Sequence, residues 1–94
     1  MATMYKLLTE NKNKDVVIGC VADYFDGFTV SEQTGYWKGV SEPSLSIEII
    51  TDDAEAARQI PQICRSICIH NNQEAVLVYR MEADNMFIGQ SGVL

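Results

Sequence analysis

Apolar and polar positions along the chain follow two different periods, and the switches between them mark the elements. Residues 5–9 (YKLLT) form a short apolar, β-compatible run that breaks at the polar stretch 10–14 (ENKNK), which predicts a strand and then a loop. From Asp15 the period lengthens. In DVVIGCVADYF, Val17, Val21 and Phe25, with Ile18 and Ala22 beside them, share one face at helical spacing. Asn13 or Asp15 is placed to cap the start of this helix. Asp26–Gly27 is placed to end it, the glycine supplying a left-handed turn.

Alternation returns at residues 28–38 (FTVSEQTGYWK), rich in Thr, Val, Tyr and Trp as strands are, with Gly35 marking a bulge or bend. Residues 39–44 (GVSEPS) read as a turn and residues 45–50 (LSIEII) as the partner strand. Leu45, Ile47 and Ile49 point one way on it, Ser46 and Glu48 the other, and so short a connection predicts an antiparallel hairpin. Thr51–Asp52–Asp53 then puts capping groups and negative charge at the start of a second helix. Ala56, Ala57, Ile60, Ile63, Cys64 and Ile67 recur along it at helical spacing, with Pro61 inside the pattern. Proline removes an amide donor, but the apolar phase continues across it, which predicts one kinked helix. Asn71–Asn72 ends that helix, residues 73–80 (QEAVLVYR) predict a last long strand, and residues 85–88 (NMFI) a short fifth one before a fraying end.

The order strand, helix, strand, strand, helix, strand, with right-handed crossovers, predicts an α+β fold. The expected architecture is a ferredoxin-like βαββαβ sandwich, a four-stranded antiparallel sheet with both helices on one face. Residues 1–94 make one domain, because two cores in 94 residues would each be too small to fold unaided. The uncovered face should be polar in a lone subunit. Instead the last strand offers Ala75, Leu77 and Tyr79 on one side and Val76 and Val78 on the other, and the first offers Tyr5 and Leu7 against Leu8. A strand apolar on both sides needs a cover. The expectation is a homo-oligomer, dimer or trimer; the alternative is a tail carrying Met86, Phe87 and Ile88 folded back over that face.

Charge narrows the partners. Thirteen acidic against seven basic side chains give a net charge of −6, which opposes direct contact with nucleic acid and suits a small ligand or a basic protein. Cys20, Cys64 and Cys68 sit in apolar helical patterns, as reduced core thiols do. The N-terminal MATMYKLLTENKNK has no basic start followed by a long apolar run, and no segment approaches the roughly 20 apolar residues of a membrane span. A cytoplasmic protein without a membrane partner is expected.

Dedicated chemistry is sparse. Cys64, Cys68 and His70 lack the spacing of a zinc site, the single histidine has no orienting partner, and no glycine-rich loop opens either helix. No catalytic residue, metal or cofactor is therefore predicted. The binding candidates are Glu10, Asn11, Tyr36, Trp37, Lys38, Gln73 and Glu74. Tyr36 and Trp37, between Gly35 and Gly39, offer rigid contact area with polar tips, and Lys38 beside them a positive charge for an anionic ligand. Glu10–Asn11 and Gln73–Glu74 sit at strand ends; they are expected toward opposite ends of a subunit, meeting only across a subunit interface.

FTVSEQTGYWKG leading into EPSLSIEIITDD and the second helix resembles the PII-like and CutA branch of ferredoxin-like proteins, over residues 28–80. The resemblance implies a trimer with ligands in the clefts between subunits. Residues 39–44 are too short for the long loop of PII proteins, and no Lys/Arg-rich phosphate cluster is present, which argues against a nucleotide. The chain is also similar to short proteins of bacterial and phage genomes, which implies no activity. The expected role is a non-catalytic, oligomeric ligand- or protein-binding regulatory module. The alternative is an acidic inhibitor, phage-encoded, that blocks a basic nucleic-acid-binding partner, and a small enzyme using carboxylates from two subunits comes third.

Overall fold

The computed structural model describes residues 1–94. The chain runs β1 (Ala2–Glu10), α1 (Lys14–Ala22), β2 (Thr29–Trp37), β3 (Val40–Thr51), α2 (Ala56–Asn71) and β4 (Leu77–Ala83), then a tail hairpin of β5 (Ile88–Gly89) and β6 (Gly92–Val93). The main sheet has the order β2-β3-β1-β4 with every pair antiparallel. This is the ferredoxin-like arrangement.

Period-two alternation puts Tyr5 and Leu7 of β1 and Leu45, Ile47 and Ile49 of β3 under the helices, where all five are buried. Val17, Cys20 and Val21 of α1 and Ala56, Ile60, Ile63 and Ile67 of α2 close the core from above. The helices are also tied to each other by the Tyr24 hydroxyl donating to Gln62 Oε1 at 3.0 Å and by Cys20 Sγ against Ser66 Oγ at 3.4 Å. At the start of α2, Thr51 Oγ1 accepts from the Asp53 amide (3.1 Å) and Asp53 Oδ1 from the Glu55 amide (2.9 Å), so the Thr-Asp-Asp run shapes the turn into that helix. The helix continues through Pro61. It ends where Asn72 adopts a left-handed conformation and the Gln73 amide returns to the Cys68 carbonyl at 3.1 Å, the bond that satisfies a last-turn carbonyl.

Several boundaries differ from the sequence expectation. Helix α1 stops at Ala22, which is exposed, and Asp23 leaves it in a right-handed conformation; Gly27 has no positive φ. The β2–β3 turn is only Lys38–Gly39, with φ of 51° and 79°, the two positive values a type I′ hairpin turn requires. Residues 40–44 therefore belong to β3, and the register runs unbroken from Thr29↔Glu48 to Trp37↔Val40, so Gly35 makes no bulge. A proline, here Pro43, is unusual inside a strand. Counted back from a two-residue turn, it falls opposite Thr34 at a pair that exchanges no hydrogen bonds, where β2 asks for no donor. Strand β4 starts at Leu77 rather than Gln73 because residues 73–76 are occupied in leaving α2 and tying back to β1. The tail makes its own small hairpin, and Met86, Phe87 and Ile88 stay 64%, 75% and 69% exposed, so it does not cover the open face.

Strand β3 has twelve residues, about 40 Å of extended chain, against a longest molecular dimension of 46 Å. Only its second half, from Leu45, lies under the helices. The first half, with the paired end of β2, projects as an arm. The radius of gyration, 14.5 Å, exceeds the roughly 12 Å of a compact chain this long. The open face of the sheet carries Met4, Lys6 and Leu8 between Ser46, Glu48 and Ile50 on one side and Leu77, Tyr79 and Met81 on the other. At its centre Lys6 Nζ lies 3.4 Å from Glu48 Oε1. Donation of a hydrogen bond to the Tyr79 oxygen, and then to Glu48, raises the Lys6 ammonium above the ordinary lysine value.

Candidate functional site

Placing the turn at Lys38–Gly39 decides which arm residues share a face. Gln33, Gly35 and Trp37 of β2 oppose Ser44, Glu42 and Val40 of β3, and Ser44 in turn opposes Glu10 of β1. These positions lie on the same side of the sheet as Leu8 and Leu77. Here the structure holds a cleft of about 680 Å³ between the arm, the end of β1 and the segment leading into β4. Its lining includes Glu10, Glu42 and Glu74, the aromatic residues Tyr36 and Trp37, of which Trp37 shares the face of Glu42, and the apolar Leu8, Ala75 and Leu77, with no lysine or arginine. Gly35 contributes the hollow of the floor. A Cβ there would meet Ser44 Cβ at 3.8 Å, an ordinary contact, so the fold does not demand glycine.

Glu10 and Glu74 therefore line one cleft within a single subunit. The expectation of opposite ends fails because β1 and β4 are antiparallel: the pair Leu8↔Leu77 sets the end of one beside the start of the other. Of the seven candidates, Glu10, Tyr36, Trp37 and Glu74 line the cleft. Asn11 stands outside it and braces the arm, its amide donating to the Pro43 carbonyl (3.1 Å) and its side chain to Glu32 Oε1 (3.4 Å). Lys14 reaches the same Glu32 oxygen at 3.4 Å. The Lys38 ammonium sits 5.8 Å over the Trp37 ring at the arm's tip, a cation–π contact. Gln73 lies outside the lining and bonds to Thr9.

Sequence reading passes over Glu42 and Ser44 because residues 39–44 read as a turn, and over Gln33 because its partner Ser44 then has no place on a strand. The available signal was the alternation of positions 33, 35, 37 with 40, 42, 44 about a two-residue turn. No cluster of three or more His, Cys, Asp or Glu is placed to hold a metal ion. Cys64, half-buried on α2 beside Cys68, has its thiol pushed up to about 11 by burial and then by that neighbour, the opposite of a reactive cysteine. No helix is long and apolar enough to cross a membrane.

No protein-family model and no curated protein matches the chain. Solved structures do. A DUF3240 family protein from Shewanella baltica OS155 is 14% identical at a TM-score of 0.71, over 94% of this chain and 97% of its own. A phage SAM lyase in its apo state is 17% identical at 0.67, over 84% of this chain and 78% of the lyase. A phage SAM lyase in complex with S-methyl-5′-thioadenosine is 15% identical at 0.61, over 86% and 81%. At these identities the likeness is one of fold.

Proposed function

We propose that the chain is a self-associating protein that binds S-adenosylmethionine in the arm cleft and cleaves it. The observation that carries this reading is the lining of the cleft: three acidic and two aromatic residues and no basic one. Phosphate ligands are repelled there. A ligand bearing positive charge and a flat ring is favoured, the carboxylates opposing an ammonium or sulfonium and the rings stacking on a base or facing the cation. S-adenosylmethionine has both features, and a cleft of about 680 Å³ is within the usual range for ligands of that size. A lyase acting on this compound with the same fold, and one such structure holding a thioadenosine, support the choice.

The reaction needs little from the protein. Breaking the bond from the sulfonium sulfur to the γ-carbon sends the electron pair to sulfur and releases S-methyl-5′-thioadenosine. The substrate's own carboxylate takes the γ-carbon and closes a five-membered lactone, so neither water nor a protein base enters and the charge balances. What accelerates such a step is holding the two ends of the substrate in line, and a carboxylate gripping the ammonium does that.

Leu8 and Leu77 belong both to the cleft and to the apolar part of the open face. A second copy seated on that face closes the mouth of the cleft and excludes water. This keeps the ligand-binding and self-associating parts of the sequence expectation and replaces its non-catalytic part with a reaction.

The test is chromatography of adenosyl compounds after incubation with S-adenosylmethionine. S-methyl-5′-thioadenosine accumulating beyond the protein concentration is expected, and Glu42→Gln should slow its release about a hundredfold without lowering the melting temperature. Binding without turnover would return the protein to the class of binding modules. Neither binding nor turnover would remove this reading.

A further inference from the structure

A directional chain of side-chain amides runs beside the cleft. Asn13 Nδ2 donates to Asn71 Oδ1 at 3.2 Å, Asn71 Nδ2 to Gln73 Oε1 at 3.1 Å, and Gln73 Nε2 to both Thr9 Oγ1 at 2.9 Å and the Ala75 carbonyl at 3.0 Å. The chain links the residue before α1, the last residue of α2, the segment before β4 and the end of β1. Asn71 is 1% exposed and Thr9 5%, so an unmet hydrogen bond at either costs more than at the surface. Both hydrogens of the Gln73 amide are used. Turning that amide over would set its oxygen against the Ala75 carbonyl, so only one orientation satisfies every member.

The backbone does not do this work. The β1–β4 ladder begins at Leu8↔Leu77, and from there toward the cleft no backbone bond joins the end of β1 to residues 73–76. The Gln73 side chain takes the place of the missing rungs. Its two acceptors, Thr9 and Ala75, both line the cleft, and each adjoins a lining carboxylate: Glu10 follows Thr9 and Glu74 precedes Ala75. Asn13, Asn71 and Gln73 themselves do not line it.

We propose that Gln73 is the positioning residue of the cleft. It fixes the end of β1 against the start of β4 so that Glu10 and Glu74 face the charged part of the ligand, while Asn71 and Asn13 fix Gln73 in turn. Only the identity of the ligand rests on the functional reading above.

The test uses the full chain and two probes, S-adenosylmethionine and S-methyl-5′-thioadenosine, titrated calorimetrically. The first carries the sulfonium and ammonium charges; the second carries neither. Gln73→Ala should weaken the charged probe about tenfold and the neutral probe less than threefold, as loss of a charge-assisted arrangement does. Asn13→Ala, remote from the cleft, should show the same selectivity at about threefold. Equal weakening of both probes would reduce Gln73 to a structural part, and no weakening of either would overturn the proposal. If the unaltered protein binds neither probe, the choice of ligand is wrong, and Gln73 is judged by amide exchange alone. Exchange about tenfold faster at residues 77–79, where the β1–β4 ladder begins, in Gln73→Ala, with Ile63 and Ile67 unchanged, sustains the positioning role; unchanged exchange at residues 77–79 ends it.

Discussion

The two faces of this sheet are built from the same strands and obey different rules. Under the helices Leu7, Leu45 and Ile47 are wholly excluded from solvent, and every neighbour is supplied by the chain itself. One residue along, Lys6 and Glu48 pair in the middle of the opposite face, with Leu8 and Leu77 to one side and Met4, Ile50 and Met81 to the other. Ile50, Leu77 and Met81 remain 51%, 62% and 50% exposed. The covered face is a finished core. The open face is left uncovered by the chain, apolar residues standing around one polar pair.

Ile47→Ala on the covered face should cost about 3 kcal/mol, because it leaves a cavity that fixed neighbours cannot collapse. Ile50→Ala, on the same strand but the open face, should cost well under about 1 kcal/mol in the dissociated chain. Denaturant unfolding of both at low protein concentration measures the contrast; equal losses would mean that the two faces are packed alike. The next largest effect is on association. Leu77→Lys should weaken self-association about tenfold or more in sedimentation experiments, since a charge would be buried in the apolar part of the patch, while the separated chain unfolds at nearly its original temperature. A wild-type protein that sediments as a single copy at high micromolar concentration would break the comparison at its root.

The covered face was legible in the sequence because periodicity reports burial directly: Leu45, Ile47 and Ile49 alternate, and Ile60, Ile63 and Ile67 repeat at helical spacing. The sheet order followed from the sequence of elements. The arm was misread for two local reasons. Pro43 looks like a breaker until its pairing position is known, and Lys38 is an unusual residue for the first place of a type I′ turn. That misreading hid Glu42, and with it the acidic character of the cleft. Glu10 and Glu74 stand out in the sequence as strand-end residues expected to meet only across a subunit interface; placing them on one cleft within a subunit needs the β1–β4 register, which no spacing along the chain reveals. Gln73 is a binding candidate in the sequence; its bonds to Thr9 and Asn71 involve two residues that in sequence look like an ordinary strand threonine and a helix end.

Two arm glycines sharpen the difference between a residue kept for the fold and one kept for the cleft. Gly39 has φ of 79° in the turn, so Gly39→Val should cost about 1–2 kcal/mol, the strain of a branched residue in a left-handed conformation. Gly35 has ordinary strand geometry and room for a Cβ. Gly35→Val should leave stability unchanged or raise it slightly, yet it fills the cleft floor and should weaken S-adenosylmethionine about tenfold. Thermal unfolding and calorimetric titration of the two variants separate the roles, and a Gly35→Val protein that binds normally would show that the ligand does not reach the arm.

The smallest effect concerns the covered side of the molecule at a single thiol. Cys64 packs against the core from α2, and its thiol is pushed up to about 11 chiefly by burial, with Cys68 adding to it. Only the thiolate is alkylated. Below its folded value the thiolate fraction rises about tenfold per pH unit, so modification of native Cys64 by iodoacetamide should keep climbing from pH 8 to pH 10 without a plateau, whereas an unfolded cysteine levels off above about pH 8.5. The sign follows from burial, which disfavours the charged form. A plateau near pH 9 in mass spectrometry of native protein would mean that solvent reaches this side of α2 as freely as it reaches the open face.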